Sequence, residues 1–323
     1  MWSQGEASAP EIGFVHSALI YGSDDAFLDV AQPFVEQGVE AGEPTLVAVQ
    51  ASNIDNLRAS LGGEPEGVTL LSVEEWYETS ARTRDKFARW AGERAGSGRV
   101  RLIGEPPWVV GNDAAVRDWA RHESVINVAF EGMPVSFICP YDARELPAQI
   151  IEHARRTHPE IAAPKGSTPS VSYEDPHEFC RRLDTRVERP EGEPLTVLAF
   201  NLADLRLIRR TVACAAVASG LSGSRADELA LAVNEIASNA VVHGRPPAIL
   251  RIWQREGELI CEVSDGGEGI KDALAGQLTP AFEGPGGRGI WLARMLCDAV
   301  EIHKGAGCTV TMHAAAPALA LAG

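Results

Sequence analysis

Short apolar runs alternate with longer segments of mixed polarity along the first half of the chain. FVHSALIY (14–21), TLVAV (45–49), VTLLS (68–72), RVRLI (99–103) and PVSFIC (134–139) have strand length. Between them lie helix-length segments at 24–41, 52–61, 74–96 and 113–129. A last helix is expected at 144–157, stopped by His158-Pro159. Strand–helix alternation of this kind predicts an α/β domain with a parallel sheet covered by helices.

The pattern then changes. Residues 163–194 hold five prolines and little apolar periodicity, which predicts a Pro-rich linker with one short helix at 176–186. Beyond it, LTVLAF (195–200) reads as a strand and 204–219 and 225–243 as helices. AILRIWQ (248–254) and ELICEVSD (258–265) form a strand pair around Arg255-Glu256-Gly257. A glycine-rich loop leads into a helix from about Gly289 to Asp298, and two last strands, AVEIHK (299–304) and CTVTMH (308–313), follow. Helices against an antiparallel or mixed sheet predict a two-layer α+β domain.

Composition narrows the function. The chain has 323 residues, 45% hydrophobic and 23% charged, and a formal net charge of −16. Residues 1–194 carry 18 basic and 32 acidic side chains, and residues 195–323 carry 11 and 13. With no basic run to meet a phosphate backbone, direct nucleic-acid binding is not expected. No apolar run has the length of a membrane span. The opening MWSQGEASAPEIG has neither a basic nor an apolar signal region, so no secretory leader and a cytoplasmic location are expected. None of the six cysteines forms a C-x-x-C pair, and most sit in apolar runs, which predicts buried free thiols.

Three features of the second half carry chemistry. In DELALAVNEIASNAVVHG (227–244), Leu229, Val233, Ile236 and Ala240 mark a packed face, while Glu235, Asn239 and His243 recur every fourth residue along another stripe. An amide oxygen is a hard ligand for magnesium, and a carboxylate one turn away can orient or deprotonate a hydroxyl. Alone, such a stripe also fits a solvated polar face. In EVSDGGEGI (262–270) a strand delivers Asp265 into Gly266, Gly267 and Gly269. Asp265 can accept a hydrogen bond from an exocyclic amine, although a plain glycine-rich loop fits equally. In GPGGRGIWLAR (284–294) a glycine-rich loop opens a helix, a junction that points backbone N–H groups at an anion. It is no Walker A loop, because Gly-Lys-Ser/Thr is missing.

In their order and spacing, with the closing strand CTVTM, these features resemble the GHKL (Bergerat-type) ATPases over about 195–316. NEIASNAVVHG corresponds to the N-box, SDGGEGI to the G1 box and GPGGRGIWLAR to the G2 box. The resemblance implies ATP and Mg2+ as cofactors, with Asn239 on magnesium and Asp265 on the adenine amine. It implies that Gly267 and Gly269 shape the adenine pocket, and that Gly286, Gly287 and Gly289 form the lid hinge and phosphate cradle. His243 and Arg288 fall in the same boxes and count with the nucleotide-binding residues, and Thr309 matches a late threonine near the adenine. The domain is compact, and the Pro-rich linker stands where a sensor histidine kinase needs a dimerising hairpin. It therefore looks like the anti-sigma-factor serine/threonine kinases, regulators of transcription and the stress response. In that branch Glu235 is the catalytic base, the substrate is a Ser or Thr of a STAS-type anti-anti-sigma protein, and the domain also grips a sigma factor. A homodimer fits the same resemblance.

The first half resembles the MEDS sensory domain over about 11–162, on FVHSALIYGSDDAF (14–27) and ICPYDARELP…HARRTHPEI (138–161). The resemblance implies a RecA/KaiC-like fold without a P-loop, since YGSDDAF offers Asp24 and Asp25 where Gly-Lys-Ser/Thr would stand. A parallel sheet places its ligand crevice at the carboxyl ends of its strands, where Tyr21, Glu105, Trp108, Tyr141 and Asp142 are candidates. His16 and Tyr141 are kept as sensory candidates, against a bland reading of His16 as a hydrogen-bonded core residue. Cys139 reads as a core thiol or a redox reporter. Two other functions fit the whole chain: a non-catalytic ATP/ADP-dependent partner-binding module, and an orphan histidine-kinase-like ATPase.

Overall fold

The computed structural model describes residues 13–108, 112–184, 189–255, 257–280, 287–304 and 307–315. The chain divides into two compact units. The first comprises Met1–Trp76, Lys86–Pro107 and Ile126–Glu174, and the second Tyr77–Asp85, Trp108–Val125 and Asp175–Gly323.

Seven strands build the first unit: β1 (Val15–Tyr21), β2 (Thr45–Val49), β3 (Val68–Ser72), β4 (Val100–Gly104), β5 (Val135–Asp142), β6 (Glu160–Ala163) and β7 (Gly166–Pro169). Their order in the sheet is β3-β2-β4-β5-β1-β6-β7. The apolar runs become the inner strands, and β2 is buried along its whole length, as expected for strands covered on both faces. Helix α1 (Asp24–Ala41) starts where the Ser23 side chain accepts from Ala26 N at 3.2 Å, and two acidic residues occupy its first turn. It stops at Gly42, which takes a left-handed φ of 67°. Helices α2 (Ala51–Ser60) and α3 (Val73–Trp76) follow. Next come α4 (Ser80–Arg94) and α5 (Asp113–Ala129), whose first parts belong to the second unit, and then α6 (Ala148–Thr157).

The expected all-parallel sheet is corrected to a mixed one. Residues 160–169 fold into an antiparallel hairpin, β6–β7, and β6 runs parallel beside β1 with Ser17 opposite Glu160. Its strands are only four residues each, EIAA and GSTP, too short for an apolar run to mark them. The segment 74–96 also divides. Thr79 Oγ1 accepts from Arg82 N at 3.3 Å and restarts the helix as α4.

The second unit holds a five-stranded antiparallel sheet and a helical layer. Helix α7 (Pro176–Leu183) begins on Asp175, whose carboxylate accepts from His177 N and Glu178 N. Then come β8 (Thr196–Phe200), α8 (Leu205–Ala218), α9 (Gly223–Val242), β9 (Ala248–Arg255), β10 (Glu258–Asp265), α10 (Arg288–Leu296), β11 (Ala299–Lys304) and β12 (Cys308–Ala315). The sheet order is β11-β12-β10-β9-β8. Ile208 and Val212 of α8 and Leu229, Val233 and Ala237 of α9 pack on Leu250, Ile252, Cys261 and Met312 of the sheet. These side chains are fully buried, and their removal from water drives the layers together at roughly 25 cal/mol per Å2.

Charged side chains are also buried in this unit. Arg121 bonds Asp184 at 2.8 Å, with both side chains almost inaccessible. His313 bridges Glu258 at 3.1 Å and Glu301 at 3.3 Å, and Arg117 reaches Glu301 at 2.7 Å. The six cysteines are free thiols, five buried and Cys214, on α8, exposed. Among the described residues no helix is long and apolar enough to cross a membrane.

Candidate functional site

A cavity of about 840 Å3 opens in the second unit, between the C-terminal half of α9, the end of β10, the start of α10 and the first residues of β12. The four-residue spacing on α9 puts Glu235, Asn239 and His243 along one side of it. Ile236 and Ala240, one residue on, join Val263, Ile270 and Val310 as apolar lining. The same helix therefore supplies both core and site.

At the far end β10 stops on Asp265. Its Oδ1 accepts from Gly267 N at 2.7 Å, and the Arg245 N–H lies at 3.4 Å. These donors fix one carboxylate oxygen on the loop that follows the strand. Close approach of two backbones makes this possible. A Cβ on Gly244 would overlap the Asp265 carboxylate and the Ala240 carbonyl. Gly266 N also donates to Arg245 O at 2.7 Å, which ties the loop after β10 to the end of α9.

The third wall is the N-terminus of α10. Gly287 is its N-cap residue, and Gly287, Arg288, Gly289 and Ile290 line the cavity. The first N–H groups of a helix lack intrahelical acceptors and carry partial positive charge, so they favour an anion. Gly289 passes close to α9: a Cβ there would meet Asn239 Nδ2 at 2.8 Å.

The cavity thus joins three kinds of recognition. A fixed carboxylate suits an amine donor, a helix N-terminus suits a phosphate, and the amide and carboxylate of Asn239 and Glu235 suit a hard cation. Magnesium nucleotide has this set of groups, and the volume lies in the range of small-molecule sites.

The expected residues are distributed as follows. Glu235, Asn239, His243, Asp265, Gly267, Gly269, Gly287, Arg288 and Gly289 all line the cavity. Thr309 does not. It pairs with Ser264, and side chains alternate along β12, so Cys308 and Val310 face the cavity instead. Gly286 lies outside the described residues. Gly244, Arg245 and Glu268 join the site without having been singled out. Gly244 stood inside the NEIASNAVVHG motif, and only its contact with Asp265 reveals its part.

In the first unit, His16 is buried in β1 and Tyr141 in β5. Both rings lie against His158, at centroid distances of 4.0 and 5.6 Å. At the carboxyl ends of the strands, Tyr21 Oη donates to Glu105 Oε1 at 3.2 Å. Gln50 N and Asn53 Nδ2 donate to Glu105 Oε2 at 2.9 and 3.1 Å. Burial pushes the Glu105 carboxyl above its ordinary value against these donors, and burial beside Glu105 raises the Tyr21 phenol. Asp142 is held by Arg144, which also reaches Asp24 at 2.8 Å. Asp24, in the first turn of α1, is therefore ion-paired.

Two families match the sequence. Residues 15–159 match the MEDS family, described as the methanogen/methylotroph, DcmR sensory domain. Residues 198–314 match the histidine kinase-like ATPase domain. None of the curated proteins matches. Among solved structures, the RsbU and RsbW domains of Rv1364c from Mycobacterium tuberculosis align at 20% identity with a TM-score of 0.29. That alignment covers 39% of this chain and 33% of the other. An N-terminal segment that matches the MEDS sensory domain thus precedes a segment that matches the histidine kinase-like ATPase domain, and the second match implies ATP binding.

Proposed function

We propose that the protein is an ATP-dependent anti-sigma factor with serine/threonine kinase activity, governed by its N-terminal sensory domain. The observation that carries this reading is the convergence of Glu235 and Asn239 with Asp265 on one cavity, in a domain of the ATPase family. The anti-sigma branch rests on the compact N-box and G-box pattern described above. A STAS-type anti-anti-sigma protein is the proposed substrate, and a sigma factor is the alternative partner.

The residues divide the work. Asp265 accepts from the base amine, and the N–H groups at the start of α10, with Arg288, hold the phosphates. The Asn239 amide oxygen would hold magnesium. Bound ATP supplies the phosphoryl group. Glu235, one turn from Asn239, takes the proton of the partner's Ser or Thr hydroxyl. Because phosphoryl transfer depends mainly on positioning and electrostatics, the loss of either residue should be felt chiefly in rate or metal dependence.

The test is ATP binding and labelled-phosphate transfer to a STAS partner, with and without magnesium. Asn239→Ala should lose magnesium-dependent binding and transfer while keeping its circular dichroism. Glu235→Gln should still bind ATP, with transfer slowed by about 10²–10⁴-fold. Normal transfer by Asn239→Ala would refute the assignment. Unchanged transfer by Glu235→Gln would remove the proposed base.

A further inference from the structure

The centre of the first unit holds a second constellation, distant in sequence from the boxes of the ATPase domain. Strands β5, β1 and β6 are neighbours in the sheet. His16 stands in β1, Cys139 in β5 opposite Ala18, and His158 just before β6. Their relative exposures are 2%, 1% and 0%. One ligand atom from each lies within 4.8 Å of the others. Apolar residues are the usual filling at such depth, and here two imidazoles and a thiol meet.

The hydrogen bonds around the cluster orient it. Asn127 Nδ2 donates to Thr157 O at 2.7 Å, which turns Asn127 Oδ1 toward His16 Nδ1 at 3.1 Å. Asn127 Oδ1 can only accept, so the proton of His16 sits on Nδ1. His16 Nε2 then points its lone pair at Cys139 Sγ, 3.4 Å away. His158 follows the same rule. Its Nδ1 donates to Ala154 O at 2.8 Å, which leaves Nε2 as its ligand atom. Histidines that bind metals characteristically donate one ring N–H to a carbonyl or amide oxygen while the other nitrogen meets the ion.

We propose that His16, Cys139 and His158 bind a divalent transition-metal ion of the zinc class. The donor types decide the class. Imidazole nitrogen and thiolate sulfur suit borderline and soft ions, whereas magnesium and calcium need oxygen. The spacing agrees. A tetrahedral ion with bonds of about 2.0–2.3 Å sets neighbouring nitrogen and sulfur ligands roughly 3.5 Å apart, close to the His16–Cys139 separation. The other pairs lie within 4.8 Å. On binding, Cys139 Sγ loses its proton to solvent and forms the metal–sulfur bond, and each Nε2 lone pair forms a metal–nitrogen bond.

The test uses the full-length chain. Protein from zinc-supplemented cells should hold one zinc per chain. After metal removal and titration with Co(II), it should show one equivalent of binding with a thiolate-to-cobalt charge-transfer band. Cys139→Ser should lose that band and the thermal stabilisation that Zn(II) gives the wild type. Cys214→Ser, which removes the exposed thiol, should keep both. Asn127→Ala leaves all three ligands in place and should weaken binding about 10–100-fold. Circular dichroism establishes that each variant is folded. Absence of metal by both routes would overturn the proposal. So would a band that survives in folded Cys139→Ser or disappears in Cys214→Ser.

Discussion

At the scale of single residues, the cavity of the second unit depends on atoms that are missing. Asp265 can be fixed by the Gly267 amide because Gly244 presents no side chain to it. Gly244→Ala should therefore push Asp265 out of place and weaken ATP binding by roughly tenfold, about 1.4 kcal/mol. The strain should also destabilise the unit by about 1–3 kcal/mol. Calorimetric titration and thermal unfolding measure the two effects, and an unchanged affinity would place Asp265 outside the contact. Much of this site was legible in the sequence, because four-residue spacing on a helix and an Asp at a strand end are local properties. The part of Gly244 and the direction of Thr309 were not legible, for physical reasons. The clash that makes Gly244 necessary arises with Asp265, on a segment distant in sequence. The direction of Thr309 depends on the register in which β12 meets β10.

At the scale of elements, β10, β11 and β12 are clamped by His313, held between Glu258 and Glu301. Burial opposes the imidazolium, but the two carboxylates outweigh it and raise the His313 pKa to about 9. Burial likewise opposes the Glu301 carboxylate, and His313 and Arg117 outweigh it, lowering Glu301 to about 2. A raised histidine stabilises fully below its unfolded value near 6.5, and that stability is lost as pH rises toward 9. A lowered carboxylate stabilises above its unfolded value near 4.5, and that stability is lost as pH falls toward 2. The contribution of the clamp should thus be greatest between about 4.5 and 6.5 and decline on both sides by roughly 3 kcal/mol. Denaturant unfolding across pH measures it, and His313→Gln should flatten the alkaline side. The strands themselves were readable from their apolar runs, and α1, β2, β3 and α5 begin and end where the pattern placed them. The β6–β7 hairpin was not readable, because its four-residue strands are too short to show a period and are placed by the pairing of β6 with β1 and of β7 with β6.

At the scale of the whole molecule, sequence order and spatial grouping differ. Tyr77–Asp85 and Trp108–Val125 lie inside the range that matches the sensory family, yet they pack with the second unit. Apolar periodicity reports which face of a helix is covered, and gives no information about which unit covers it. Arg121 makes the difference measurable. Its partner, Asp184, belongs to the second unit, and both side chains are almost fully buried. Arg121→Met should strand the Asp184 charge and cost about 3–5 kcal/mol. The loss should appear in the unfolding of the ATPase unit, followed by hydrogen exchange in β9 and β10. Protection unchanged there would separate Arg121 from that unit. The distribution of thiols has a practical consequence as well. Because five cysteines are shielded and Cys214 stands on the open side of α8, a maleimide dye added to the native protein has one address. The wild-type chain therefore carries its own position for a fluorescent reporter, and conformational changes of the ATPase unit can be followed in it without a cysteine-depleted background.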